Sequence, residues 1–155
     1  MAVAYKPDSG IPAAAPSKAR LLFGSSFGIM RMDVQALIHA AHHGVSWDSV
    51  KKFMETAGLT QQQLASYLDL PERTFARRRT EGAFDSRESE KILRLVEICE
   101  DALELFDGNR AAAASWVLTP AFGLGNASPI DYARTEFGAR EVRALIGRIA
   151  DGVFS

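Results

Sequence analysis

The sequence predicts an all-α protein in which a helix-turn-helix precedes a second, smaller helical region. Apolar residues recur at helical spacing from about residue 33 onward, and serine or threonine caps alternate with glycine stops along the same stretch. No segment shows the alternating pattern of a half-buried strand. The composition therefore favours a bundle of short helices around one long helix.

Length, charge and cysteine content limit the classes of function. The chain has 155 residues and a net charge of −1, so any DNA contact is expected to be a local basic patch. Cys99 is the single cysteine, which rules out an internal disulfide and suits a reducing cytoplasm. Its position in an apolar helical stripe predicts a core thiol. With no membrane-length apolar run and no signal-peptide pattern, we expect a soluble, cytoplasmic protein.

The chain divides into three predicted regions. Residues 1–30 are rich in proline, alanine and serine, and we expect them to form a mobile leader. Residues 31–97 would form the helix-turn-helix domain, and residues 98–155 the smaller helical domain. The predicted helices outside the helix-turn-helix are Asp33–His43, a helix capped by Ser46 and closed by Gly58, a long helix capped by Ser86 that runs through Phe106, an alanine-rich helix ending at Trp116, a helix starting at Ser128, and Arg140–Ala150.

The segment from Thr60 to Gly82 carries the helix-turn-helix prediction. Thr60 is a suitable N-cap, and the small Ala65 lies where two crossing helices must approach closely. Asp69 tolerates the left-handed turn, and Pro71 suits the first turn of the second helix. The second helix of such a motif enters the major groove of DNA. The competing interpretation is an ordinary pair of short helices in an α-helical protein.

Polar residues on the outer side of this motif are the candidate DNA contacts. Gln61 and Arg78 are suited to phosphates, whereas Arg73 and Arg77 are suited to base edges. The full candidate set is Gln61, Gln62, Glu72, Arg73, Thr74, Arg77, Arg78 and Thr80.

No pattern of catalytic or metal-binding residues emerges. His39, His42 and His43 cluster at a helix end, and His39 and His43 are spaced to face one metal ion, but no cysteine pair or evident third ligand accompanies them, and the helix dipole alone favours cations there. The glycines at 123–125 follow no strand, so they predict a loop and not a phosphate cradle. We therefore expect neither an enzyme nor a bound metal or cofactor.

The C-terminal region carries many large apolar side chains, and most of them are expected in the core. The residues concerned are Trp116, Phe122, Leu124, Ile130, Tyr132, Phe137, Val153 and Phe154. The last two follow the final helix, where chain ends are normally hydrated. They need cover from this chain's own body, from a second copy, or from another protein.

Taken together, the two halves resemble the antitoxins of the Xre/MbcA/ParS type. The resemblance covers roughly residues 33–155 and rests on six ordered segments. These are Arg73–Arg78, Glu88–Leu95, Ala102–Phe106, Trp116–Pro120, Leu124–Asp131 and Gly138–Val142. The sequence departs from the usual helix-turn-helix pattern at Asp69, where glycine is common, and at Arg78, where an apolar residue is often buried.

The resemblance implies an antitoxin built from an Xre-like helix-turn-helix and a C-terminal domain that dimerises and binds a toxin, closing the toxin's active site. Toxins of this family are RES-domain or related proteins that consume NAD or transfer ADP-ribose. The NAD site would then belong to the partner, and this chain would bind no cofactor. The resemblance also implies repression of the antitoxin's own operon.

The end of the chain is the candidate toxin-binding segment. An arginine suited to meet charge near the NAD phosphates precedes two apolar anchors, and the segment comprises Arg148, Asp151, Gly152, Val153, Phe154 and Ser155. The alternative functions are a free-standing dimeric helix-turn-helix regulator without a toxin partner and a helical adaptor with a vestigial helix-turn-helix.

Overall fold

The computed structural model describes residues 34–152, and these residues are α-helical with no β-strand among them. The predicted all-α fold is thereby confirmed. The helices are α1 (Val34–His43), α2 (Trp47–Ala57), α3 (Gln61–Tyr67), α4 (Glu72–Glu81), α5 (Ser86–Leu105), α6 (Arg110–Leu118), α7 (Pro129–Tyr132) and α8 (Glu136–Ala150), with a 3₁₀ turn at Phe122–Leu124.

Helix α5 is the centre of the fold, and α1, α2, α6 and α8 all pack against it. Its apolar residues extend around most of its circumference, as expected of a helix enclosed by others. Ile92, Leu95, Val96 and Ile98 have no exposed surface. The helix is continuous across the domain boundary predicted at residues 97–98, so both halves of the chain share one core.

Two helix starts differ from the sequence prediction. Helix α5 is capped by Asp85 and not by Ser86, because Asp85 and Glu88 form a capping box. The Asp85 carboxylate accepts from the Glu88 N–H at 2.8 Å, and the Glu88 carboxylate accepts from the Asp85 N–H at 2.9 Å. Helix α8 begins at Glu136, four residues before the predicted Arg140.

The early start of α8 depends on Thr135 and Gly138. The Thr135 hydroxyl accepts from the Gly138 N–H at 3.0 Å and caps the helix. A Cβ atom at position 138 would lie 1.7 Å from the carbonyl oxygen of Tyr132. Only glycine therefore allows α7 and α8 to approach so closely.

The expectation that most large apolar residues of the C-terminal region lie in the core was wrong for three of them. Phe122 is 84% exposed, Phe137 is 78% exposed and Tyr132 is 39% exposed. Phe137 lies on the side of α8 opposite the face that is buried against the body of the protein. Leu124 and Ile130 are buried and Trp116 is half-buried, whereas Val153 and Phe154 lie outside the described residues.

Candidate nucleic-acid and protein interfaces

A capping box sets the start of α3 and leaves two glutamines exposed. The Thr60 hydroxyl accepts from the Gln63 N–H at 3.1 Å, and the Gln63 side chain accepts from the Thr60 N–H at 2.9 Å. Thr60 is the N-cap that the sequence predicts. Gln61 and Gln62 occupy the first helical turn with their side chains in solvent.

The turn between α3 and α4 is formed by Asp69 in the left-handed conformation. Asp69 has φ 55°, and the Leu70 N–H donates to the Ala65 carbonyl at 3.0 Å. Asp is among the few non-glycine residues that adopt this conformation at moderate cost. The helix-turn-helix geometry thus forms although glycine is absent. Pro71 is the N-cap of α4, one residue before the predicted first-turn position.

Three aromatic rings fix the orientation of α4. Phe75, the buried residue of this helix, meets Trp47 edge-on at 5.4 Å between ring centroids and lies 5.9 Å from Phe84. This contact holds one side of α4 against the core. Arg73 and Arg77 on the other side are therefore directed to solvent.

Most of the candidate DNA contacts have exposed side chains in the structure. Thr74 is half-buried, and Arg77 makes a loose exposed ion pair with Glu81 at 3.7 Å. Arg79, which the sequence-based set does not include, lines an open cavity of about 590 Å³ between α3 and α4. The candidates with exposed side chains are Gln61, Gln62, Glu72, Arg73, Arg77 and Thr80.

Arg78 does not fit its predicted role as a phosphate contact. Its guanidinium binds the Glu88 carboxylate through two atoms, with Nε to Oε2 at 2.8 Å and Nη2 to Oε1 at 2.9 Å. The same guanidinium also donates to the Glu81 carboxylate from Nη1 at 3.0 Å and to the Asp85 carboxylate from Nη2 at 3.3 Å. The carboxylates of Glu88 and Glu81 raise the pKa of Arg78 above its ordinary value. Because the side chain is only 16% exposed, its donors face α5 and not solvent.

Glu88 is a residue that sequence reasoning missed. It closes the capping box of α5 and also receives Arg78, so one carboxylate links the last turn of α4 to the first turn of α5. The spacing of Asp85 and Glu88 is the signal that predicts the capping box. No comparable signal in the sequence identifies Arg78 as the partner.

Polar contacts join the helix-turn-helix to the C-terminal region. Arg134 donates to the Ser66 hydroxyl on α3 at 2.8 Å, and Arg94 forms an ion pair with Glu136 at 2.9 Å. Within the first half of the chain, the Tyr67 hydroxyl donates to the Lys91 carbonyl at 2.8 Å, and burial raises the pKa of Tyr67. The two halves are therefore in direct contact.

The candidate toxin-binding segment is described only in part. Arg148 is half-buried in the last turn of α8, and Asp151 and Gly152 are exposed in the turn that follows. Val153, Phe154 and Ser155 lie outside the described residues. Within residues 34–152, the buried Nε of Arg148 has no hydrogen-bond acceptor.

The histidine cluster and Cys99, the other groups that the sequence singles out, show no arrangement for chemistry in residues 34–152. The rings of His39 and His43 stack at 4.0 Å, and residues 34–152 contain no group of three potential ligands arranged around a metal ion. Cys99 is buried, as predicted for a core thiol, and burial raises the pKa of its thiol to about 12. In the same stretch of chain, no helix combines the length and apolar character needed to cross a bilayer.

Comparison with known proteins assigns both halves to described families. Residues 36–97 match the Antitoxin Xre-like helix-turn-helix domain, and residues 101–152 match the Antitoxin Xre/MbcA/ParS C-terminal toxin-binding domain. Antitoxin Xre of Yersinia enterocolitica is 38% identical over 120 residues, covering 77% of this chain and 81% of that protein. Antitoxin Xre of Photorhabdus laumondii is 40% identical over 84 residues, covering 54% of this chain and 57% of the relative. The chain belongs to the Xre family of antitoxins.

Proposed function

We propose that this antitoxin neutralises a cognate NAD-consuming or ADP-ribosylating toxin by occluding the toxin's active site, and that it represses its own operon. The observation that carries the proposal is the division of the chain into two exposed surfaces. An arginine-bearing face lies on α4, and an apolar surface lies within the domain that matches the toxin-binding family. Both functions require the cytoplasm, where we expect the protein to act.

Neutralisation needs binding and no chemistry by this chain. A segment that fills a substrate cleft abolishes turnover as long as it stays bound. In the proposed complex, Arg148 approaches the region where the toxin holds the NAD phosphates, and the chain end that follows enters the cleft. The position of the half-buried Arg148 in the last turn of α8, next to that chain end, supports this role.

Operon repression would use the exposed side of α4. Arg73 and Arg77 are exposed on α4 and would reach base edges, and Gln61 in the first turn of α3 would contact a phosphate. A single helix-turn-helix has too small a footprint for tight specific binding. We therefore propose that a homodimer reads two half-sites one helical turn apart.

Co-expression with the neighbouring open reading frame tests the proposal. We expect the neighbour to stop growth when expressed alone, to be harmless with this chain, and to co-purify with it. A neighbour that is harmless alone and does not bind would instead identify a free-standing regulator. NAD concentration in the intoxicated cells then reports whether the toxin is NAD-directed.

A truncated chain tests the role of the C-terminal segment. Removal of the residues after Ala150 should abolish protection while the helical body stays folded, because the core-facing residues of α8 are retained. Full protection by the truncated chain would rule out occlusion by this segment.

A further inference from the structure

The outer face of α8 carries an exposed aromatic side chain although the helix is part of the core. Phe137 is 78% exposed. Residues spaced four, seven and eleven positions after it lie along the same side of the helix, and they are the exposed Glu141 and Ala144 and the half-buried Arg148. This face therefore presents a large ring at one end, a carboxylate and a small residue in the middle, and a cation at the other end.

A second exposed phenylalanine lies in an element that contacts α8. Phe122 is 84% exposed, and the next residue, Gly123, approaches α8 so closely that a Cβ atom there would lie 3.0 Å from Leu145. The 3₁₀ turn that carries Phe122 is thus seated on the helix that carries Phe137. Burying such side chains yields roughly 1.5–3 kcal/mol each, so two of them in neighbouring elements favour a covered state.

We propose that Phe122 and the outer face of α8 form a docking surface for the toxin, separate from the chain end that would enter the toxin's active site. The inference rests on the proposed function. Both elements lie inside residues 101–152, the part of the chain that matches the toxin-binding domain family. The complementary toxin surface has apolar pockets bordered by carboxylates.

The charges on this face determine the chemistry of the partner. The Arg140 side chain is 69% exposed, and its guanidinium lies 5.9 Å from the centroid of the Phe137 ring. Its ion pair with Glu136 is long, at 3.6 Å. A carboxylate on the partner would pair with the exposed Arg140 guanidinium beside the Phe137 ring.

Phe122 and the outer face of α8 both lie within residues 101–152, which match the toxin-binding domain family, so the toxin is the occupant that we propose and a second copy of this chain is the competing one.

Binding measurements on the full-length antitoxin test the docking surface. Phe122→Ala, Phe137→Ala and the double variant are compared with the wild type for affinity toward the protein encoded next door. The double variant should bind at least about thirtyfold more weakly, the loss typical of an interface hot spot. Lys51→Ala is the control, because Lys51 is an exposed residue on α2, outside this domain. Its affinity should change less than about twofold.

The outcomes separate this inference from the proposed function. If the wild type and the double variant bind equally well, the docking surface is wrong and the antitoxin function stands. If the wild type does not bind its neighbour, both proposals fail. Analytical ultracentrifugation provides the third outcome. Loss of self-association in the double variant with unchanged toxin affinity would assign the face to a second copy and overturn the inference.

Discussion

Arg78 on α4 and Glu88 on α5 form a two-pronged ion pair, with Nε to Oε2 at 2.8 Å and Nη2 to Oε1 at 2.9 Å. This pair occupies the position where many helix-turn-helix proteins bury an apolar residue against their scaffold. The Arg78 side chain is 16% exposed and that of Glu88 is 9% exposed, so solvent screens the pair only in part. The orientation of α4 thus depends on a charged contact together with the aromatic contact of Phe75.

Replacing Arg78 should destabilise the fold and weaken DNA binding indirectly. Arg78→Met leaves the Glu88 carboxylate partly buried without its main partner, and we expect a loss of about 2–3 kcal/mol in unfolding free energy. Urea denaturation measures this loss. The control Arg77→Ala, whose side chain is exposed, should change stability by less than about 0.5 kcal/mol. Equal stability of the two variants would show that the ion pair contributes little.

Replacing Arg73 should weaken operator binding without affecting the fold. If the exposed guanidinium of Arg73 reads a guanine, Arg73→Ala costs about 1–3 kcal/mol of binding free energy. Fluorescence anisotropy with operator DNA at fixed salt measures the effect. The matched control Lys51→Ala removes an exposed cation on α2, outside the motif. Unchanged operator affinity in Arg73→Ala would remove this residue from the DNA-reading set.

Replacing either of two glycines of α8 by alanine should change the stability of the protein, in opposite directions for the two positions. Gly138→Ala places a Cβ atom against the Tyr132 carbonyl, and we expect a loss of at least about 2 kcal/mol as α7 and α8 separate. Gly147→Ala meets no atom within 4 Å and should stabilise the helix by about 0.5–1 kcal/mol. Thermal unfolding of the two variants provides the comparison. A tolerated Gly138→Ala change would show that the interface between α7 and α8 relaxes freely.

Cys99 should make stability fall with rising pH in the alkaline range. Burial raises the pKa of its thiol from 9.0 in the unfolded reference to about 12 in the folded protein. The folded state therefore holds its proton while the unfolded state releases it. This contribution is fully present below pH 9 and is lost progressively as the pH rises toward 12. Cys99→Val should reduce the slope of unfolding free energy against pH in that window, and an unchanged slope would contradict the assignment.

Local sequence signals predicted most of the helix starts and the turn of the motif. Thr60, Ser46 and Ser128 cap helices as expected, since each hydroxyl accepts from a backbone N–H three residues later. Asp69 adopts the left-handed turn that its side chain tolerates. The start of α8 was predicted four residues too late although its signal is local, because the Thr135 hydroxyl caps the helix by accepting from the Gly138 N–H three residues later.

The sequence by itself determined the all-α class, the helix-turn-helix and the family resemblance, because caps, turn residues and helical periodicity act over a few residues. Only the tertiary structure decided which charged and aromatic groups are available to a partner. The Arg78 guanidinium on α4 is bound by the Glu88 carboxylate on α5, whereas the side chains of Phe122 and Phe137 remain exposed. Residue type alone does not distinguish these cases, since burial is determined by the packing of distant segments.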